Sequence, residues 1–189
     1  MPRLFSGLEI PGEIAQRLSM LRGGLEGARW VEEENYHITL RFIGDVDGDT
    51  ATRYSEALGQ IEAEGFSLTL DGVGSFGRGK PRAVWAGVAP SAPLGALRRA
   101  HEKAALTAGL EPEPRNFHAH VTLARMRNCS ASEIAQYLEY NGAFLIPAFA
   151  VTRFVLFSAR ESRGGGPYVA ERSYALNEPR ETQSPLPRS

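Results

Sequence analysis

Residues 37–40 read His-Ile-Thr-Leu, and residues 120–123 read His-Val-Thr-Leu. Each tetrapeptide sits in a run with strand character, Tyr36–Ile43 and His118–Leu123. Side chains alternate between the two sides of a strand, which gives the pattern a direct geometric reading. His37, Thr39 and Arg41 point to one side, and Ile38, Leu40 and Phe42 to the other. His120 and Thr122 share a face, with Val121 and Leu123 opposite. In both strands an apolar face is available to a core, while the other face offers an imidazole beside a hydroxyl. Two such strands, 83 positions apart, predict a duplicated half, with the two motif strands facing each other across a cleft.

The flanking sequence supplies the rest of the frame. Arg3–Ile10 alternates as a first strand, with Leu4, Ser6, Leu8 and Ile10 on one face. Pro11 stands where a helix begins, and Ile14, Leu18, Leu21 and Leu25 recur at helical spacing. Further strands are predicted over Phe66–Leu70, Ala83–Val88, Val151–Ser158 and Tyr168–Leu176, the last two flanking the loop Glu161–Pro167. Helices are predicted over Thr50–Ala63, over Ala92–Ala108 up to Gly109, and from about Ser130 to Tyr140, with Ser130 or Ser132 as cap over Glu133. The predicted class is α+β with mostly antiparallel sheet and helices outside. Residues 1–176 are expected to form one bilobal domain, and the polar, Pro-rich residues 177–189 a disordered tail.

Composition narrows the function classes. With 189 residues, 42% of them hydrophobic and 23% charged, the chain has the usage of an ordinary soluble globular domain, not of a fibrous or wholly disordered protein. Twenty-one Lys and Arg against 22 Asp and Glu argue against non-specific wrapping of a long nucleic acid. A compact phosphate site needs only a few local cations and stays open. The single cysteine, Cys129, excludes an internal disulfide and a multi-thiolate metal site, and fits a reducing compartment. No apolar run approaches membrane-span length, and the N-terminus lacks a signal peptide's hydrophobic stretch, so a cytoplasmic protein with no membrane association is expected.

Paired imidazoles suit phosphate chemistry without a metal or other cofactor. One ring can be neutral and the other cationic near pH 7. The neutral ring takes a proton from the attacking oxygen, and the cation protonates the leaving oxygen on the opposite side. Threonine hydroxyls can hydrogen-bond the non-bridging oxygens, and an arginine can offset their charge.

The two His-x-Thr-x motifs resemble those of the 2H phosphoesterase superfamily, specifically the RNA 2',3'-cyclic phosphodiesterases related to bacterial 2'-5' RNA ligases. The resemblance takes in Arg3-Leu-Phe, the block Trp30–Gly44, Gly74-Ser-Phe-Gly, Pro81–Val88, Phe117–Arg125 and Gly166-Pro-Tyr168. It implies a two-lobed fold with pseudo-twofold symmetry and hydrolysis of a 2',3'-cyclic phosphate to a 2'-phosphomonoester, with reverse 2'-5' ligation open to the same site. By that resemblance His37 is the general acid, His120 the general base, and Thr39, Thr122 and Arg125 hold the phosphate. The expected partners are RNA ends or small nucleotides carrying a 2',3'-cyclic phosphate, handled by a monomer. Ala119 stands where relatives often carry Pro, which removes a backbone constraint but no catalytic group.

Further candidates are less determined. Strict alternation puts Arg125 on the side of Val121 and Leu123, so it reaches the cleft only if the strand bends near Ala124. Arg41 has the right parity, and substrate contact and a structural salt bridge are both open. Phe117, His118 and Tyr168 are candidate substrate contacts. Tyr36, Phe117, Trp85 and Tyr168 are candidates for stacking on a base. Core packing is expected for Trp30, Phe42 and Phe76, and solvent exposure for His101. Two alternatives compete with the enzyme reading: a module that binds a phosphate or RNA end without turnover, and a metal-dependent hydrolase built on His37, His118 and His120. Residues 72–77 (Gly-Val-Gly-Ser-Phe-Gly) and 74–80 imitate phosphate-binding loops, but Pro81 and a following strand remove the helix such loops require. A glycine-rich hairpin between Phe66–Leu70 and Ala83–Val88 is the better reading.

Overall fold

The computed structural model describes residues 3–77, 79–159 and 166–179. Its strands are β1 (Arg3–Glu9), β2 (Ala28–Trp30), β3 (His37–Asp45), β4 (Phe66–Phe76), β5 (Ala83–Val88), β6 (His120–Met126), β7 (Leu145–Val151), β8 (Arg153–Ala159) and β9 (Val169–Ala175). The helices are α1 (Gly12–Ser19), α2 (Gly48–Leu58), α3 (Ala92–Thr107) and α4 (Ala131–Asn141), with one 3-10 turn at Glu33–Asn35. No described helix is long and apolar enough to cross a membrane.

The strands form one sheet in the order β7-β4-β5-β6-β3-β1-β8-β9, with β2 against β6. Every named strand pair is antiparallel. The midpoint of this path is the contact between the two motif strands, and it is thin: β3 and β6 share a single registered pair, Ile38↔Val121. Four strands lie on each side of it. The sheet is therefore two halves hinged on one bridge, the α+β bilobal arrangement expected from the repeated motif.

Local chemistry accounts for the element ends. Asp47 caps α2 by accepting from Thr50 N at 2.7 Å, and Ser91 caps α3 through Leu94 N. At α4, Ser130 accepts from Glu133 N while the Glu133 carboxylate accepts from Ser130 N, a reciprocal capping box. Helix α1 ends at Ser19, sooner than its apolar spacing predicts, and the chain turns farther on at Gly23 and Gly24, both at positive φ. Leu21 and Leu25 still bury, outside the helix. The Gly72–Phe76 stretch lies within β4 and not in a turn, and Gly74 is required there: a Cβ would lie 2.3 Å from the Trp85 ring. No helix follows it, so the phosphate-loop resemblance has no structural basis.

Helix α3 lays Leu94, Leu97, His101, Ala104 and Ala105 against the sheet. His101, expected at the surface, is fully buried in that stripe. Its Nδ1 is 2.7 Å from Ser6 Oγ, which is also 2.7 Å from Tyr54 OH, and its ring packs edge-on against Phe154. Ser6 satisfies Nδ1, while Nε2 is buried without a hydrogen-bond partner among the described residues. Strands β2 and β7 and the 3-10 turn lay outside the sequence expectation. Of the predicted loop Glu161–Pro167, residues 161–165 lie outside the described residues, as do residues 180–189 of the predicted tail. The tail's first residue, Asn177, is paired: its N–H donates to Ala63 O, and Gly65 N–H donates to its carbonyl.

Candidate active site

The motif strands put their imidazoles into one cleft of about 500 Å³, together with Thr39, Thr122, Arg125, Phe117, His118 and Tyr168. Each histidine is held the same way. His37 Nδ1–H donates to Asn35 O at 2.8 Å, and His120 Nδ1–H donates to His118 O at 2.6 Å. A carbonyl only accepts, so each neutral ring carries its proton on Nδ1 and keeps the Nε2 lone pair for the cleft. Both bonds run to the residue two positions upstream, the last residue of the 3-10 turn for His37 and the loop before β6 for His120, so the backbone ahead of each motif sets the tautomer of its own histidine.

Aromatic rings wall in both imidazoles. Phe5 lies 4.7 Å from the His37 ring, and the Tyr168 edge 5.0 Å. Phe76 meets His120 edge-on at 4.8 Å, with Trp85 behind it at 6.1 Å. Burial among these rings lowers the pKa of His37 to about 4, against the raising effect of the Asn35 carbonyl; the charges on His120 and Arg125 add to the fall. His120 is also lowered, first by burial, then by the charges of His118 and Arg125. Both rings are neutral at pH 7 before an anion arrives. A second hollow that also touches His37 is lined by Glu33 and Glu34, whose charges disfavour a phosphate there, whereas the cleft shared with His120 is lined by arginines.

Two bulges redistribute the residues beyond the motifs. In β3, Thr39 pairs Gly7 and Arg41 pairs Ser6, which leaves Leu40 without a partner position. In β6, Thr122 pairs Trp85 and Ala124 pairs Val84, which leaves out Leu123. The extra residue falls at the fourth position of both motifs and reverses the alternation after it. Arg125 is thereby returned to the cleft side, where it lines the wall near both histidines. The same reversal removes Arg41 from the cleft. It is buried, with Nε 2.7 Å from Glu102 Oε2, Nη1 3.6 Å from Glu113 Oε2, and further bonds to the carbonyls of Phe42 and Glu111. Of its two open roles, the structure assigns the salt bridge.

Phe42, expected in the core, takes the vacated cleft position and is 39% exposed; Phe76, expected likewise, is 38% exposed against His120. Trp30 does pack against the core. Two proposed stacking residues are unavailable: Tyr36 is buried with its hydroxyl accepting from Arg22, and Trp85 is covered by Gly74, His118 and Phe76. Sequence reasoning missed Arg98, Arg115 and Asn35. Arg98 and Arg115 line the cleft from α3 and the segment after it. Buried Asn35 uses its carbonyl to hold His37 and its Oδ1 to accept from Tyr168 N at 3.1 Å. The first two have no motif spacing to reveal them; Asn35 sits two residues before a motif histidine, which is a readable signal. Among the described residues no three His, Cys, Asp or Glu side chains converge as metal ligands, so a site built on His37, His118 and His120 lacks its geometric basis.

Against known families, the one described as LigT like phosphoesterase matches over residues 8–85 and 88–168. The RNA 2',3'-cyclic phosphodiesterase of Aeropyrum pernix is 43% identical over 119 residues, 59% of this chain; the chain spans just under two thirds of that relative, 66%. The RNA 2',3'-cyclic phosphodiesterase of Escherichia coli K12 is 32% identical over 187 residues, covering 93% of this chain and 97% of the relative. The crystal structure of E. coli LigT complexed with 3'-AMP superposes with a TM-score of 0.73 at 30% identity, covering 94% of this chain and all (100%) of that one.

Proposed function

The chain belongs to the LigT-like phosphoesterase family, and from that premise we propose that it hydrolyses 2',3'-cyclic phosphate ends of RNA to 2'-phosphomonoesters by paired-histidine acid–base catalysis. The observation that carries the reading is the matched pair of imidazoles, each pinned through Nδ1 to its own backbone with Nε2 left for one shared cleft.

In this mechanism the cyclic phosphate lies between the histidines, with Thr39 and Thr122 donating to its non-bridging oxygens and Arg125 offsetting their charge. His120 Nε2 takes a proton from water as the water oxygen bonds to phosphorus. The P–O3' bond breaks in line, and His37 Nε2–H delivers its proton to O3'. The product keeps the P–O2' bond, His120 ends protonated and His37 neutral, and exchange with solvent resets the pair. Burial lowers the pKa of His37 to about 4, so the free ring is neutral near pH 7 and acts as acid only by gaining a proton as the substrate binds. The substrate's negative charge supplies the counterweight that lets this ring accept a proton beforehand. A 5'-hydroxyl in place of water would carry the same steps to a 2'-5' linkage.

The test is turnover of a nucleoside 2',3'-cyclic phosphate by wild-type, His37→Ala and His120→Ala proteins in the presence of a chelator. Each substitution is expected to lower kcat by roughly 100-fold or more, the usual range for a lost general acid or base. Wild-type rates in both variants would refute the mechanism. Binding without ring opening by the wild-type protein would establish the alternative of a non-catalytic phosphate-binding module.

A further inference from the structure

Around buried Arg41 the structure builds an ion network that ends at the cleft. Arg41 contacts Glu102 on α3 and Glu113 beyond it; Glu102 Oε2 also lies 3.8 Å from Arg98 Nη2, and Glu113 holds Arg115 by Nε–Oε1 at 2.7 Å and Nη2–Oε2 at 2.9 Å. Three guanidinium groups against two carboxylates leave one positive charge uncompensated. Arg41 is buried, so that charge is expressed at Arg98 and Arg115 on the cleft wall.

Each of these two arginines lies over an aromatic ring of the cleft. The Arg98 guanidinium is 5.7 Å from the Phe117 ring centre, and that of Arg115 is 5.9 Å from Phe42. Both rings are more than a third exposed, 37% for Phe117 and 39% for Phe42. Arg98 keeps terminal donors to spare, because its ion pair to Glu102 is long at 3.8 Å; its Nε is buried without a hydrogen-bond partner. Arg115 is committed edge-on to Glu113 but presents a flat face. A fixed cation with spare donors beside stacked planar groups is the chemistry that recognises a single nucleic-acid strand, one part taking a phosphate and the other a base.

The position along the cleft agrees. With bulged Leu40 discounted, Phe42 lies two residue rises beyond Thr39, ~7 Å along the strand. That places the wall about one nucleotide's length from the threonine expected to hold the cyclic phosphate.

We propose that Arg98 and Arg115, with Phe117 and Phe42, form a second subsite that takes the internucleotide phosphate and base immediately 5' to the cyclic end. The subsite rests on the phosphodiesterase reading of the histidine cleft and extends it, making an oligonucleotide end, not a free cyclic mononucleotide, the preferred substrate.

Two measurements separate the subsite from the reading it extends. Turnover of a mononucleoside 2',3'-cyclic phosphate judges the reaction itself. The ratio of kcat/KM for a dinucleotide with a terminal 2',3'-cyclic phosphate over that for the mononucleoside judges the subsite. Wild-type protein is expected to favour the dinucleotide roughly tenfold or more, as one stacked base and one phosphate contact would give. In Arg98→Ala and Arg115→Ala the ratio falls toward one. A wild-type ratio of one, or unchanged ratios in both variants, overturns the proposal.

Affinity for a dinucleotide ending in a 2'-phosphate, measured by calorimetry in His37→Ala, reads the subsite without turnover. Its logarithmic salt dependence should lose a slope of about 0.7 when Arg98 is replaced by Ala on that background, and keep it in Arg98→Lys, which preserves the charge should Ala disturb the fold. A purely structural Arg98 would leave the slope unmoved, and that result also overturns the proposal.

Discussion

Among single residues, activity turns on protonation of the two motif histidines. Catalysis needs the singly protonated pair, and in the free protein both histidines titrate below the ordinary value of 6.5. The profile of kcat/KM reports the free enzyme, so it should be a bell centred on the acid side of pH 6.5 and already falling at pH 7, tenfold per unit, as the last proton leaves. The profile of kcat reports the complex, where the bound anion raises both values, and should peak at higher pH. Rates measured from pH 4 to 9 check this; a flat profile, or identical optima, would contradict it. Histidines and threonines were legible in the sequence because alternation needs only their own strand. Arg41 and Phe42 exchanged their expected places because alternation beyond Leu40 depends on the partner strand β1, which no local pattern displays.

At the scale of elements, the bulges at Leu40 and Leu123 are what deliver a cation and an aromatic to corresponding positions of the two halves, Arg125 in one and Phe42 in the other. Beside the first bulge, Gly7 lets β1 approach β3: a Cβ there would meet Ile38 O at 2.4 Å. Gly7→Ala should therefore lower stability and, by shifting β3, activity together, read as a reduced Tm with a reduced kcat; full activity at reduced Tm would separate the bulge from the site. Arg41→Leu strands Glu102 and Glu113 without their shared cation and should cost about 3 kcal/mol in urea unfolding, the usual penalty for breaking a buried pair. Helices α3 and α4 were readable almost to the residue, α3 from its Ala- and Leu-rich run up to Gly109 and α4 from its serine cap. Strands β2 and β7 were not: the first has three residues, and the second is an edge strand with most of its side chains exposed, so neither carries an alternating signature.

For the whole molecule, the repeated tetrapeptide was enough to anticipate two halves around one cleft, because two strands with the same buried face and the same polar face satisfy one another by meeting. It could not reveal that the halves form one sheet joined at Ile38↔Val121, since pairing order is a property of the assembled chain. Nor did it place His101, whose burial depends on a serine hydroxyl 95 positions away. That burial has a global consequence. His101 is lowered to about 3 by burial, and His37 to about 4, so the unfolded chain binds their protons below pH 6.5 while the folded protein refuses them. Stability is complete above pH 6.5 and falls as pH drops toward 3, by up to about 1.4 kcal/mol per unit for each histidine. Urea midpoints between pH 7 and 4 should show this decline, and His101→Gln should remove about one proton's share of it; a midpoint independent of pH would contradict the buried neutral ring. Phosphorus NMR of a nucleoside 2',3'-cyclic phosphate incubated with the purified protein and a chelator reads the proposed reaction itself. The account predicts the 2'-phosphomonoester as the single product and none from a His37→Ala/His120→Ala double variant; an unopened ring, a 3'-phosphate product, or equal turnover by the double variant would contradict it.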